Sequence, residues 1–481
     1  MAPLVKGSGA TERQRWANVG DVPFGFALFF VALVPRLFVA LRWAGEPVWD
    51  GHYYDFGARR IAAGFGYSDD RWADGIVEWH PWCHYPVGYS AVLGALYRVL
   101  GSDLRVTAVF DAGVSAGVCV MTWLLAKTAL SPMRARVAGV IAALHPGLVL
   151  YAALVMTEPL SALLTLTAFW IATRETEPKH MRGFVIGALV LGLGALVRPQ
   201  ALLCAPFFGL IALPPWLTRK KAFARPAAAI LACALALAPV LPWTVRNCAR
   251  MDGCALVSTN AGWNLAIGSF PRATGRFETL HASDGCREVT GQVQQDRCWF
   301  AYGVDQIRTH PWHYLALVPA KLSFTFDHES FAVEYLREAR PAAWPEGRRI
   351  AWRAVTSTAH RLLVCVAALG GVAFIFRRRA PRAALVAQGA ALAVVLGLAW
   401  VAAGTSTPTF YPLVIAACII PWLPLAGRPP LPNALVLVIA LIATTAITHA
   451  VFFGEDRYHI VVTPALCVLA AAALRKPGVA P

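Results

Sequence analysis

The chain is short of charge. Only 15% of its 481 residues are Asp, Glu, Lys or Arg, against 57% hydrophobic residues and a mean hydropathy of +0.54. A soluble protein of this length needs far more polar surface, so the shortage excludes an ordinary water-facing fold and leaves lipid against much of the exterior. Internal repeats, low-complexity linkers, a G-x-x-x-x-G-K-S/T phosphate loop, an H-E-x-x-H helix and finger-like metal spacing are also missing. Their absence argues against solenoids, a nucleotide-sugar donor site and a standard zinc site. The first apolar run has no small-residue cleavage site and reads as a retained signal anchor.

What is present is apolar sequence in lengths that suit a bilayer. A hydrocarbon core of about 30 Å takes about 17 to 25 helical residues. About twelve runs approach that length, near 23–43, 105–129, 137–154, 158–173, 183–197, 200–216, 226–243, 354–376, 383–403, 409–426, 433–453 and 459–474. The expected fold class is an all-α polytopic membrane protein. Arg13/Arg15, Arg134/Arg136, Arg174/Lys179/Arg182, Arg219/Lys220/Lys221/Arg225, Arg377/Arg378/Arg379/Arg382, Arg428 and Arg475/Lys476 fall in every second connection. Because short cytoplasmic loops collect Lys and Arg, both termini are expected in the cytoplasm and the span number is expected to be even. The same placement accounts for the net charge of +16 without nucleic acid as a partner.

The expected organisation is a cytoplasmic tail over 1–22, an N-terminal transmembrane module over 23–243 with an external loop at 44–104, a large extracytoplasmic loop over 244–353, and a C-terminal transmembrane module over 354–481. Cys248, Cys254, Cys286 and Cys298 share the large loop, where an oxidising compartment lets them pair in any of three ways.

The first external loop spends scarce carboxylates in VWDGHYYDFGARRIAAGFGYSDD, residues 48–70. Helical spacing over 51–63 puts Asp50 at an N-cap, a role that would stabilise the helix by about 1 kcal/mol and needs no other function. Asp50 keeps company, however. D-x-x-Y-Y-x-x-x-A-R starts at Asp50, P-x-G-Y at Pro86 and T-E-P at Thr157, followed by R-P at Arg198 and P-W-x-x-R-N at Pro242. T-N-x-G-x-N-L-x-I-G starts at Thr259, and R-Y-x-x-x-x-x-P at Arg457.

These segments, in this order over residues 45–470, resemble the multispanning GT-C glycosyltransferases, which include protein O-mannosyltransferases and the aminoarabinose transferase of lipid A. The resemblance implies a GT-C fold of about 12 transmembrane helices, with amphipathic helices in the first external loop and a long second external loop. It implies transfer of a sugar, with inversion, from a polyprenyl-phosphate-linked donor to a glycan, lipid or protein acceptor. That chemistry would take place on the extracytoplasmic side of a bacterial inner membrane, among membrane lipids. Asp50 matches the catalytic aspartate, and withdrawal from water would raise its pKa toward a useful base.

Glu158 stands at the outer end of a span, where an ionisable group is costly unless used; a carboxylate at a helix N-terminus, with Thr157 as the cap, is the alternative. Arg198, Arg246, Arg457, His459 and Arg59 are candidates to hold the departing phosphate, although interfacial Arg also snorkels to headgroups. Tyr53, Tyr54, Tyr89, Asn260, Trp263 and Asn264 are candidates for the sugar or acceptor. Asp111, inside a span, is expected to hydrogen-bond a neighbouring helix. Residues 311–337 read as one interfacial helix, with Lys321 as a further phosphate candidate. His80, Cys83 and His84 do not have the spacing of a settled metal site. No certain cofactor is implied; a divalent cation serves some members of the superfamily, and Asp69/Asp70 and Asp74/Glu78 lie in the same loop. Two departures stand out. Val87 replaces a proline common in relatives, and Gly51 stands where an acidic residue often follows the first Asp. Competing readings are an O-antigen ligase or polymerase, a secondary transporter and a catalytically silent scaffold.

Overall fold

The computed structural model describes residues 20–73, 75–174, 180–212, 223–281, 284–375, 411–419 and 431–474, with single positions at 386, 393 and 397. Helix α1 (Asp21–Trp43) turns Phe26, Phe30, Val34 and Phe38 outward, an exposed apolar stripe at helical spacing that suits lipid. Helix α2 (Asp50–Ala62), an antiparallel hairpin of β1 (Ser68–Ala73) and β2 (Ile76–Pro81), and helix α3 (Val87–Leu100) follow. Next come α4 (Leu104–Lys127), α5 (Pro132–Leu144), α6 (Pro146–Leu150), α7 (Glu158–Arg174) and α8 (His180–Val197). A tight 3-10 turn at Pro199–Cys204 leads to α9 (Ala205–Ile211), α10 (Ala224–Leu237) and α11 (Leu241–Arg250). The large loop carries α12 (Ala261–Ile267), α13 (Gln292–Thr309), α14 (Pro311–Phe326) and α15 (Phe331–Ala339). Helices α16 (Glu346–Ile375), α17 (Tyr411–Ile419), α18 (Asn433–Val451) and α19 (Thr463–Ala473) complete the described elements.

Among the described residues, α1, α4 and α18 are long and apolar enough to cross a membrane. Helix α5 with residues 146–153, bent by 55°, and α10 with α11, bent by 53°, add two if each bent pair is one span. Pro199 separates α8 from the run that follows it. The run expected at 383–403, and the parts of 409–426 outside α17, fall largely outside the described residues. The core is built from α4, α5, α7, α16 and α19, where α19 buries every residue from Thr463 to Ala472. Small side chains let these helices approach closely without a hydrophobic drive from water.

Between α2 and α3 residues 68–81 pair as a hairpin, and one local expectation needs correction. Residues 311–337 form two helices rather than one. The Asp456 carboxylate accepts the backbone N–H groups of Ser330 and Phe331, the latter at 2.7 Å, and so starts α15 from outside the segment. Cys248 pairs with Cys254 and Cys286 with Cys298, fastening α11 to its following turn and the 286 turn to α13.

Arg36 explains one of the bends. It is fully buried within α1, where its Nε donates to Ser115 Oγ at 2.8 Å, Nη2 to the Ala142 carbonyl at 3.1 Å and Nη1 to the Ala143 carbonyl at 2.9 Å. A continuous helix would satisfy Ala142 through the N–H of residue 146, but that residue is Pro146 and has none. The guanidinium replaces the missing donors across the break. Arg36→Met is expected to orphan these carbonyls and lower stability by about 2–4 kcal/mol. In a thermal melt of the detergent-solubilised chain, Arg36→Lys should recover only part of the loss.

Candidate active site

A cavity of about 630 Å³ opens between α2, the Pro199–Cys204 turn, α12, the segment 277–280 and the turn Asp456–Val461. Asp50 stands at its wall. It is the first residue of α2, and Trp49 precedes it at φ +52°, the one non-glycine residue with positive φ among those described. Such a conformation is strained and persists only where the surroundings hold it; here Trp49 packs on Phe331 and Tyr335. The turn aims the Asp50 side chain into the cavity. Asp50 therefore makes no capping bond to its helix, contrary to the N-cap expectation.

Instead, Asp50 Oδ2 pairs with Arg457 Nη1, and Oδ1 accepts from Tyr85 Oη at 2.8 Å. Burial pushes the Asp50 carboxyl up, but Arg457, the Tyr85 hydroxyl and His84 together outweigh it and hold the group below the usual carboxylate range. The raised pKa expected from withdrawal alone is thus reversed by the neighbours. Arg457 is itself fixed: Nε lies 2.7 Å from Glu455, Nη2 donates to Tyr458 Oη at 3.1 Å, and the guanidinium lies over Phe331. Burial lowers its affinity for the proton, yet Asp50 and the other neighbours raise it more strongly, so Arg457 stays charged.

The second guanidinium, Arg198, leaves the end of α8 just before the Pro199 turn. Its Nη1 donates to Glu158 Oε1 at 2.8 Å and Thr157 Oγ1 at 3.0 Å. Arg198 and Arg457 lie 5.5 and 4.9 Å from the ring centroid of Tyr458, which both cations share. The rest of the wall divides by chemistry. Asn260, Trp263, Asn264, Glu278 and Thr279 offer polar and aromatic groups, whereas Leu203, Leu256, Phe277, Phe452 and Phe453 form an apolar flank.

Of the residues singled out from sequence, the structure brings Asp50, Tyr54, Arg198, Asn260, Trp263, Asn264 and Arg457 to this cavity, with Glu158 directly behind Arg198. Others lie elsewhere. Arg59 pairs with Asp55 at 2.6 Å. Arg246 donates to the Tyr67 and Trp82 carbonyls at 2.6 and 3.0 Å, tying the hairpin to α11. Tyr89 is fully buried and donates to Asp111 at 2.8 Å, so the carboxylate within α4 has its partner on α3. Tyr53 stacks on Tyr85 at 5.4 Å outside the lining. His459 is buried against Glu329, and Lys321 is buried against the Val451 carbonyl at 3.2 Å. Sequence reading assigned no role to Tyr85, Glu455 or Tyr458, although each lies in or beside a motif that was read: Tyr85 precedes Pro86, Glu455 stands two residues before Arg457, and Tyr458 follows it.

Gly51 has a steric reason. A Cβ there would collide with Tyr335 Oη and the Val155 carbonyl, so no acidic side chain fits beside Asp50. Asp70 is taken up by Arg60 at 2.8 Å, and Asp74 lies outside the described residues. The cavity thus has no clustered carboxylates around Asp50 for a divalent ion among the described residues.

Glu158 is fully buried and Arg198 is its cation. Arg198→Met should therefore cost about 3–5 kcal/mol, because it leaves a buried charge unpaired. Adding Glu158→Gln should recover most of that loss in chemical denaturation of the solubilised chain; a double variant no more stable than the single would contradict the pairing.

Comparison with known proteins adds a family. Residues 84–245 match the model of the dolichyl-phosphate-mannose-protein mannosyltransferase family. No curated protein matches the chain. Similar solved structures include the Archaeoglobus fulgidus oligosaccharyltransferase AglB in complex with an inhibitory peptide and a dolichol-phosphate, at 12% identity and TM-score 0.42 over 94% of this chain and 50% of that one. They also include ArnT from Cupriavidus metallidurans bound to undecaprenyl phosphate, at 15% identity and TM-score 0.34 over 89% of this chain and 77% of that one. The chain spans about half the length of the archaeal enzyme. The family match over residues 84–245 takes in the P-x-G-Y, T-E-P and R-P segments.

Proposed function

We propose that the protein transfers a sugar from a polyprenyl-phosphate-linked donor to an acceptor hydroxyl or amine, with inversion, on the extracytoplasmic side of a bacterial inner membrane. The observation that carries this reading is a cavity whose wall holds the carboxylate of Asp50, paired with Arg457, together with a second guanidinium, Arg198, and an apolar flank. A lipid-linked sugar phosphate needs these parts: cations for phosphate oxygens, an apolar path for the isoprenoid, and a base for the acceptor proton. The charge pattern, which favours cytoplasmic termini and external loops at 44–104 and 244–353, supports a cavity at the outer face.

In this reading the donor phosphate competes with Asp50 for Arg457 and takes the remaining donors of Arg198. Asp50, released toward the acceptor and still bonded by Tyr85, accepts the acceptor proton as the new bond forms at the anomeric carbon and the bond to phosphate breaks on the opposite side. Before the donor binds, Arg457 and its other neighbours hold Asp50 below the usual carboxylate range; once the phosphate engages Arg457, Asp50 loses its strongest lowering neighbour and becomes a better base for the acceptor proton. Arg198 and Arg457 stabilise the charge left on the phosphate. Asn260, Trp263 and Asn264 are placed to contact the sugar or the acceptor.

The test is transfer from a purified polyprenyl-phosphate sugar by the detergent-solubilised chain. Asp50→Asn should lower kcat by about 10²–10⁴-fold while donor binding persists; a variant as active as the wild type would overturn the assignment. The pH profile checks the electrostatics. Wild-type kcat/KM should hold down to below the ordinary carboxylate range and fall only as Asp50 becomes protonated. In Arg457→Gln, burial is no longer outweighed, so the acid limb should move to higher pH in addition to the loss of rate.

A further inference from the structure

Apart from the cavity, four ionisable side chains meet in a dry pocket where α5 breaks, α14 gives way to α15, and α16 passes behind the Asp456–Val461 turn. They are His145, Glu329, His360 and His459, exposed by 4%, 1%, 0% and 0%. Ligand atoms of His145, Glu329 and His360 lie within 4.8 Å of one another. His459 Nε2 is 3.1 Å and His360 Nδ1 3.9 Å from Glu329 Oε2.

The backbone determines which ring nitrogens carry protons. His459 Nδ1 lies 2.7 Å from the Thr325 carbonyl and His360 Nε2 3.0 Å from the Phe326 carbonyl. A carbonyl only accepts, so both of those nitrogens are donors, and in neutral rings the other nitrogen presents a lone pair. Both lone pairs then face a carboxylate, which is also an acceptor. One shared proton would satisfy the His459 contact and leave His360 Nδ1, Glu329 Oε1 and His145 Nε2 buried without partners, as they stand here. Buried polar atoms without partners are rare and call for an explanation. The carboxylate is also built in. Thr356 and Ser357 of α16 donate to the Glu329 carbonyl, and a Cβ at Gly147 would collide with Glu329 Oε1.

We propose that Glu329, His360 and His459, with His145 as a fourth ligand, bind a divalent transition-metal ion of the Zn²⁺ type. Three imidazoles and a carboxylate suit such an ion, and the Thr325 and Phe326 carbonyls orient two ligands through their far nitrogens, as outer partners of metal-bound histidines do. A tetrahedral shell with bonds of about 2.1 Å places ligands about 3.4 Å apart, so the side chains must draw together on binding. His145 must also release the 3.4 Å contact between its Nδ1 and the Leu148 N–H. The ion would fasten α16 and the α14–α15 break to the turn that carries Arg457, two residues before His459. Its role would be structural, independent of the sugar chemistry.

The full-length chain, purified in detergent, incubated with Zn²⁺ and freed of excess ion, should retain about one equivalent by elemental analysis. Co²⁺ in its place should give the strong visible absorption of a four-coordinate nitrogen–oxygen site. A chelator should lower the melting temperature and Zn²⁺ restore it. Glu329→Gln, which keeps the shape and can donate its amide to His459, should lose the retained ion and the Co²⁺ spectrum. Should that variant fail to fold, the wild-type Co²⁺ spectrum and the chelator response decide. A wild-type chain that retains no ion, or a folded Glu329→Gln chain that retains as much as the wild type, overturns the site.

Discussion

Asp50 and Arg457 are 407 residues apart in the chain and meet as a largely buried ion pair. Neither charge could sit at a membrane face alone without a large desolvation penalty, so each requires the other, and their meeting ties the first external loop to the turn before α19. Around them the charges are matched: Tyr85 bonds the carboxylate, Tyr458 bonds the guanidinium with Glu455 beside it, and Glu158 pairs with the neighbouring Arg198. A ligand bearing negative charge enters a site whose cations are already positioned.

The Asp456–Val461 turn connects several of these constraints. Asp456 starts α15, Arg457 reaches Asp50, Tyr458 lies beside both guanidinium groups, and His459 joins the buried histidine cluster. Consecutive residues therefore serve a helix start, the cavity and the core. The RY segment is informative in sequence because so many long-range contacts converge on it.

Legibility from sequence followed physical range. Apolar runs located α1, α4, α7, α8 and α18 within a few residues, since length and composition carry that signal. Asp50, Arg198 and Arg457 were singled out through the ordered motifs that carry the resemblance, because each charge taken alone fits an N-cap or a snorkelling side chain as well. The hairpin at 68–81 was not legible, because its strands mix Asp, Arg and Glu with Trp and show no clean alternation. The break at Asp327–Ser330 depends on Asp456, a partner more than a hundred residues away, and local spacing carries no trace of it. The direction of the Asp50 pKa was misjudged for the same reason: withdrawal from water is local, whereas Arg457 is brought in by the fold. Arg246 and Tyr89 show the converse, as motif residues whose side chains hold the hairpin and Asp111 rather than line the cavity.

The most direct measurement is an experimental structure of the chain with a bound polyprenyl phosphate. The phosphate should lie between Arg198 and Arg457, with the Asp50–Arg457 contact opened and the isoprenoid against Phe277, Phe452 and Phe453. A phosphate held elsewhere, with the Asp50–Arg457 pair intact, would contradict the assignment of this cavity as the donor site.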